Sequence, residues 1–198
     1  MANRVSVINP SYCVPHPVSI QINTEKGVAY NEKDDRLFYI NDILFSLHDR
    51  RVLYDYSNKP IVTFYNKSSK VCKVFKGESS DSSQFLFRVK KMKKSSTIPS
   101  GITKLNVFLA NNQDEEKSDF RVIIYESKRS CSVYAGESST IVAQMENNGG
   151  FNVMVNPNVD YAFIVALLMI VKDTESSYTE EMDAVSAIRM ISSILSLG

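Results

Sequence analysis

VDYAFIVALLMIV, residues Val159 to Val171, ends in eleven residues without a charge, an amide or any hydroxyl except the phenol of Tyr161. A helix with no polar side must be enclosed by apolar groups on every side. Asn156-Pro157-Asn158 supplies an entry and Lys172-Asp173-Thr174 an exit, so the predicted helix has about 14 to 16 residues and a length of roughly 21 to 24 Å. A bilayer core takes about 20 apolar residues, and a membrane span therefore falls short by more than a turn. The remaining solution is a core helix, whose buried apolar side chains contribute about 1.5 to 3 kcal/mol each, held in a sleeve made by the rest of the chain.

The sleeve has to come from the residues before it. Between residues 17 and 155 the pattern is of short strands and turns, with no sustained helical period. Val18, Ile20 and Ile22 alternate with Ser19, Gln21 and Asn23, one face dry and one wet. Leu37 to Ile40 and Ile43 to Leu47 flank Asn41-Asp42, which has the chemistry of a two-residue hairpin. Arg51 to Tyr54 and Ile61 to Tyr65 flank a second turn, Asp55 to Pro60, with Pro60 opening the later strand. Further strands are predicted at Val71 to Phe75, Phe85 to Val89, Leu105 to Leu109, Phe120 to Tyr125, Ser130 to Tyr134, Ile141 to Met145 and Phe151 to Val155. A closed antiparallel sheet of about twelve strands has a lumen too wide for its own side chains to fill. The expected fold is therefore mainly β, a closed antiparallel barrel of about twelve strands around a central buried hydrophobic helix at about 158–173.

Val74 to Ser80, VFKGESS, is echoed at Val133 to Ser139, VYAGESS, and each copy precedes another strand. Two readings fit, a duplication or two turns with the same need for glycine and polar residues. Two loops of opposite sign, basic Lys90 to Gly101 and acidic Asn111 to Ser118, read as solvated connections. Tyr178 to Leu197 changes period: Met182, Val185, Ile188, Ile191 and Leu195 recur at helical spacing behind a capping box of Ser177 and Glu180. This predicts an amphipathic C-terminal helix that docks on the domain or on a protein partner. The expected organisation is one barrel domain, 1–175, with a helical extension, 176–198.

The totals fit one globular domain: 198 residues, 43 % hydrophobic and 23 % charged, with a net charge of +1. Nothing in that balance calls for a nucleic-acid partner. MANRVSVINP has no apolar run for a secretory signal, Ala2 stands where myristoylation needs glycine, and three scattered cysteines suit reduced thiols. An intracellular protein is expected.

Several segments also resemble a known family. They are PSYCVP (10–15), LFSLHDRRVL (44–53), LNVFLAN (105–111), RSCSVYAG (129–136) and PNVDYAFIVAL (157–167), in order along the chain. Together they resemble the plant LURP-one-related family, whose fold is similar to the tubby C-terminal domain and the phospholipid scramblases. The resemblance implies the same architecture as the helix argument, and a membrane-tethered regulator that binds phosphoinositides in plant defence. It further implies a cytoplasmic protein, with the plasma membrane surface and the nucleus as further sites. Cys72 and Ile123-Ile124 depart from the pattern where a Trp and a Gly are expected, and Tyr178 to Gly198 extends beyond it.

For chemistry, Arg88, Lys90, Lys91, Lys93 and Lys94 form the strongest surface candidate, five bases in seven residues. Joined by Arg50, Arg51, Lys73 and Lys76, they would attract anionic phospholipid head groups at about 1 kcal/mol per base. The other reading is a lysine-protected strand end. Ser46, His48 and Asp49 lie too close in sequence to make a triad, since Asp49 points away from the other two in a strand. Asp173 to Ala184 resembles a calcium loop but has Tyr178 and Ala184 where glycine and a bidentate glutamate are required. Two histidines and three scattered cysteines give no zinc spacing, and phosphate-binding glycine motifs are absent. The sequence reading is a non-enzymatic binding module without a cofactor, and the alternative is a protein-interaction scaffold that docks through the C-terminal helix and touches no lipid.

Overall fold

The computed structural model describes residues 4–23, 26–42, 50–68, 70–92, 99–128, 130–147 and 151–171. Twelve strands run in chain order: β1 Val18–Asn23, β2 Val28–Tyr30, β3 Arg36–Asp42, β4 Arg50–Asp55, β5 Pro60–Ser68, β6 Val71–Lys76, β7 Phe85–Lys91, β8 Ile102–Leu109, β9 Phe120–Tyr125, β10 Ser130–Ala135, β11 Ile141–Asn147 and β12 Phe151–Val155. Each pairs antiparallel with its chain neighbour, and β12 closes on β1. Closure removes the two edge strands that an open sheet would present. Alternation is clear in β9, where Phe120, Val122 and Ile124 are buried and the residues between them are half-buried.

The helix α1, residues 161–171, fills the lumen. From Ala162 to Val171 every residue is buried, none more than 4 % exposed. Phe163 meets Phe87 edge-on at 5.2 Å between ring centroids and Phe120 at 5.0 Å, distances at which aromatic pairs add about 0.5 to 1.5 kcal/mol beyond their area. The expected barrel around a buried helix is the observed fold.

Asp160, wholly buried, governs how the helix is held. Its Oδ1 accepts the N–H of Phe163 at 3.1 Å, capping the first turn. Its Oδ2 accepts the N–H groups of Val7, Ile8 and Asn9 at 3.1, 2.7 and 3.0 Å. The amino-terminal arm is thereby fastened across the barrel end, with backbone bridges Val5 to Val159 and Cys13 to Asp160. Tyr12 from the arm packs on Phe38 and Tyr161 at 5.8 and 5.3 Å. Burial pushes the Asp160 carboxyl up from its ordinary value, and the four backbone donors pull against that shift.

Three expectations need correction. Asn41-Asp42 is no hairpin: both residues continue β3, opposite Val52 and Arg51 of β4, because the ladder outlasts the turn-forming residue types. Ile43 to Leu47, together with Ser46, His48 and Asp49, lies outside the described residues. Strand β2 escaped the sequence reading, since three residues are too short to display a period of two. The helix cap is Asp160, just past the expected entry Asn156-Pro157-Asn158, in which Asn158 adopts a left-handed φ of +62°. The segments proposed for the C-terminal helix and the calcium loop begin beyond residue 171, outside the described residues.

The echoed turns are alike in three dimensions. Gly77 and Gly136 have φ of +61° and +54°, a region that glycine enters without steric cost. Each donates its N–H to the preceding strand, Gly77 to Ile61 O and Gly136 to Asp119 O. Each carbonyl accepts from a side chain two residues further on, Thr63 Oγ1 or Arg121 Nε. Ser79 and Ser138 then accept the N–H of Asp81 and Thr140.

Two measurements probe this framework. Asp160→Asn must set an amide nitrogen against either the Phe163 N–H or the three arm N–H groups. We expect a loss of about 2 to 4 kcal/mol in urea unfolding, and a loss below about 1 kcal/mol would remove the anchoring role. Burial and the nearby Asp55 push the Tyr12 phenol from 10.0 up to about 12. The folded state therefore keeps a proton that the unfolded chain releases, so this stability is complete below pH 10.0 and is lost as the pH rises toward about 12. Tyr12→Phe should flatten the fall in stability over that window, and an unchanged alkaline slope would contradict this.

Candidate functional site

The basic run divides by strand alternation. Phe87 and Val89 are 0 % and 2 % exposed and face α1, so Arg88 and Lys90 face outward. Lys91 falls on the inward register, opposite the buried Leu105, at the barrel mouth. Lys93 and Lys94 lie outside the described residues. Lys90 and Lys91 belong to β7, which corrects their assignment to a solvated loop.

Register assembles a different group. Arg50 lies opposite Tyr65, Tyr65 opposite Lys73, and Lys73 opposite Arg88. Adjacent strands are about 4.8 Å apart, so one outward row across β4 to β7 reads Arg50, Tyr65, Lys73, Arg88, with Lys90 next but one to Arg88 along β7. Of the other bases considered, Arg51 pairs with the inward-facing Phe64 and sets its guanidinium 5.7 Å from that ring. Lys76 sits at the far end of β6. Neither joins the row.

The bases are held and partly neutralised. Arg88 lies 5.6 Å from the Phe85 ring and Lys90 5.6 Å from the Phe108 ring. Arg88 Nη1 pairs with Glu115 Oε1 at 2.6 Å, and Lys90 Nζ pairs with the other oxygen of the same carboxylate. The acidic loop is therefore no independent solvated connection: it folds over β7 and places one acid on two bases. Arg50 and Lys73 form no ion pair among the described residues. A lysine directly opposite an arginine is a cost to the sheet of roughly 0.2 to 1 kcal/mol, and it marks a place where an anion would be welcome.

The charge around the barrel is also polarised along its axis. The connections at the end where α1 begins carry Glu32, Asp34, Asp35, Glu78, Asp81, Asp114, Glu116 and Glu137, against Lys33, Lys59 and Lys117 and the strand-end bases Arg36 and Lys76. Strand ends and turns at the opposite end carry Arg50, Arg51, Lys70, Lys90, Lys91 and Lys128. Across the barrel from the basic row, a groove of about 310 Å³ between β11, β12 and β1 is lined by Ser19, Ile141, Gln144, Asn152, Val153, Met154 and Asn156, with no ionisable group. Among the described residues no cluster of His, Cys, Asp and Glu could hold a metal ion, and no helix is long and apolar enough to cross a membrane. What the row offers chemically is cation charge and N–H donors for an anion.

Comparison with known proteins gives a consistent picture. The profile of the LURP-one-related family matches residues 18–173. Protein LURP-one-related 15 of Arabidopsis thaliana is 39 % identical, covering 84 % of this chain and 84 % of its own. Protein LURP1 of the same plant is 35 % identical over 86 % of this chain and 90 % of its own. An X-ray structure of an Arabidopsis thaliana protein superposes with a TM-score of 0.72 at 40 % identity, covering 86 % of this chain and 98 % of that one.

If the Lys73 to Arg88 pair is retained at a cost to the sheet, Lys73→Glu should raise stability, by about 0.5 kcal/mol in urea unfolding. A clear loss of stability would mean that Lys73 is already compensated.

Proposed function

Since the chain belongs to the LURP-one-related family, we propose that its barrel is a non-enzymatic regulatory module that docks on anionic phospholipid head groups, phosphoinositides in particular. The observation that carries this reading is the outward row of Arg50, Lys73 and Arg88 with Lys90 beside it, in which like charges oppose each other and, among the described residues, a carboxylate pairs with Arg88 and Lys90 alone. At about 1 kcal/mol per base near an anionic surface, four bases less the one charge of Glu115 supply about 3 kcal/mol, enough for reversible peripheral contact. The polarity of the barrel supports an orientation with the basic end toward the lipid and the acidic connections away from it. Contact of this kind leaves α1 in its lumen, and it suits a cytoplasmic protein that visits the plasma membrane. We read its biological setting as plant defence. A protein partner taken through Tyr178 to Leu197 is the alternative, and that segment lies outside the described residues.

The test is sedimentation with vesicles containing phosphoinositides, against neutral vesicles, across a salt series. Binding should depend on head group and weaken as salt rises. Charge reversal at Arg50, Lys73 and Lys90 should weaken it about tenfold or more, as should reversal of Lys90, Lys91, Lys93 and Lys94. Unchanged binding in both variants, or none by the wild type at low salt, would overturn the proposal.

A further inference from the structure

Glu115 is placed with more care than a surface acid needs. It has a φ of +55°, a left-handed conformation that costs a non-glycine residue strain and that survives where its surroundings impose it. Those surroundings are defined. Asn112 Oδ1 accepts the Glu115 N–H at 3.2 Å, and Asn112 Nδ2 donates to Lys117 O and to Asp119 Oδ2, both at 2.8 Å. Asp119 Oδ2 in turn accepts the Leu109 N–H at 2.9 Å, which ties the loop to the end of β8. The brace holds the loop against β7 and aims one carboxylate between Arg88 and Lys90. With a side chain only 19 % exposed, Glu115 occupies the position that an external anion would need.

We infer that Glu115 is a built-in competitor for the anion bound by this face, an internal latch on the head-group site; the inference rests on the reading under Proposed function. Two bases share one negative charge, and Lys73 opposite Arg88 adds a third base. The cluster therefore remains positive with the latch closed. A phosphomonoester carries about −1.5 to −2 charges and three acceptor oxygens. It can satisfy Arg88, Lys90 and Lys73 together, whereas the carboxylate serves two. Exchange requires only that the Glu115 side chain rotate toward solvent, because the hydrogen bonds of Asn112 and Asp119 hold the backbone without it. The latch sets a threshold: weakly charged surfaces do not open it, and a membrane rich in phosphomonoester head groups does.

The experiment compares wild type, Glu115→Gln and Glu115→Asn for binding to phosphatidylcholine vesicles doped with phosphatidylinositol bisphosphate, with soluble inositol trisphosphate in a parallel arm. Asparagine tolerates the left-handed backbone better than glutamine. Equal effects in the two variants therefore identify the lost charge, and not a loosened loop, as the cause; if the glutamine variant fails to fold, the asparagine variant carries the test. Removing the competing charge should tighten vesicle binding about fivefold at low salt, with the gain shrinking as salt rises. Wild-type affinity in both variants, with binding still sensitive to Lys73→Glu, overturns the latch and leaves the head-group reading standing. No binding by any of the three proteins overturns both. A gain seen with soluble inositol trisphosphate alone overturns the membrane as the source of the anion.

Discussion

A single buried carboxylate ties the start of the central helix to the amino-terminal arm. Asp160 caps the helix with one oxygen and gathers three consecutive N–H groups of the amino-terminal arm with the other. A charged group removed from water is tolerated only where hydrogen bonds replace its hydration, and here four backbone donors do so. The same contacts satisfy donors at both a helix start and an irregular arm, which would otherwise be left unpaired in the core. Partners more than 150 residues apart in the chain meet there, at the end of the closed barrel where the helix enters.

That dependence runs both ways. A closed antiparallel sheet of this size leaves a lumen that strand side chains do not fill, and α1 has no polar stripe to offer to water. Each element covers the apolar surface that the other would leave exposed. Phe163, between Phe87 of β7 and Phe120 of β9, is where the two are fitted together, and the arm, with Tyr12 on Tyr161 and Phe38, seals the end where the helix enters.

The face proposed to bind head groups follows from closure. Twelve strands bring β4, β5, β6 and β7 side by side, and only then do Arg50, Lys73 and Arg88 become neighbours. On the sequence the basic run looked like one patch of five bases, yet Lys91 turns to the inward register while Arg88 and Lys90 turn outward. The strand period was legible from Phe87 and Val89. The partners across the ladder were not, because register depends on where each turn ends. In the sequence Glu115 belongs to an acidic loop with the composition of a solvated connection, and no local feature indicates that a loop after β8 folds back over β7.

By itself the sequence determined the architecture, because hydrophobicity patterns are local and state directly what must be buried. Eleven residues without a polar face required enclosure, and alternating strands were the only material to enclose them. The positions of every strand but β2 followed for the same reason, and the echoed glycine turns were visible as composition. Only the tertiary structure decided which charges meet. The bases of β4, β6 and β7, the acid that covers two of them and the carboxylate that fastens the arm are joined across long stretches of chain. Those meetings depend on register, closure and the path of one loop, which are properties of the assembled barrel and not of any segment within it.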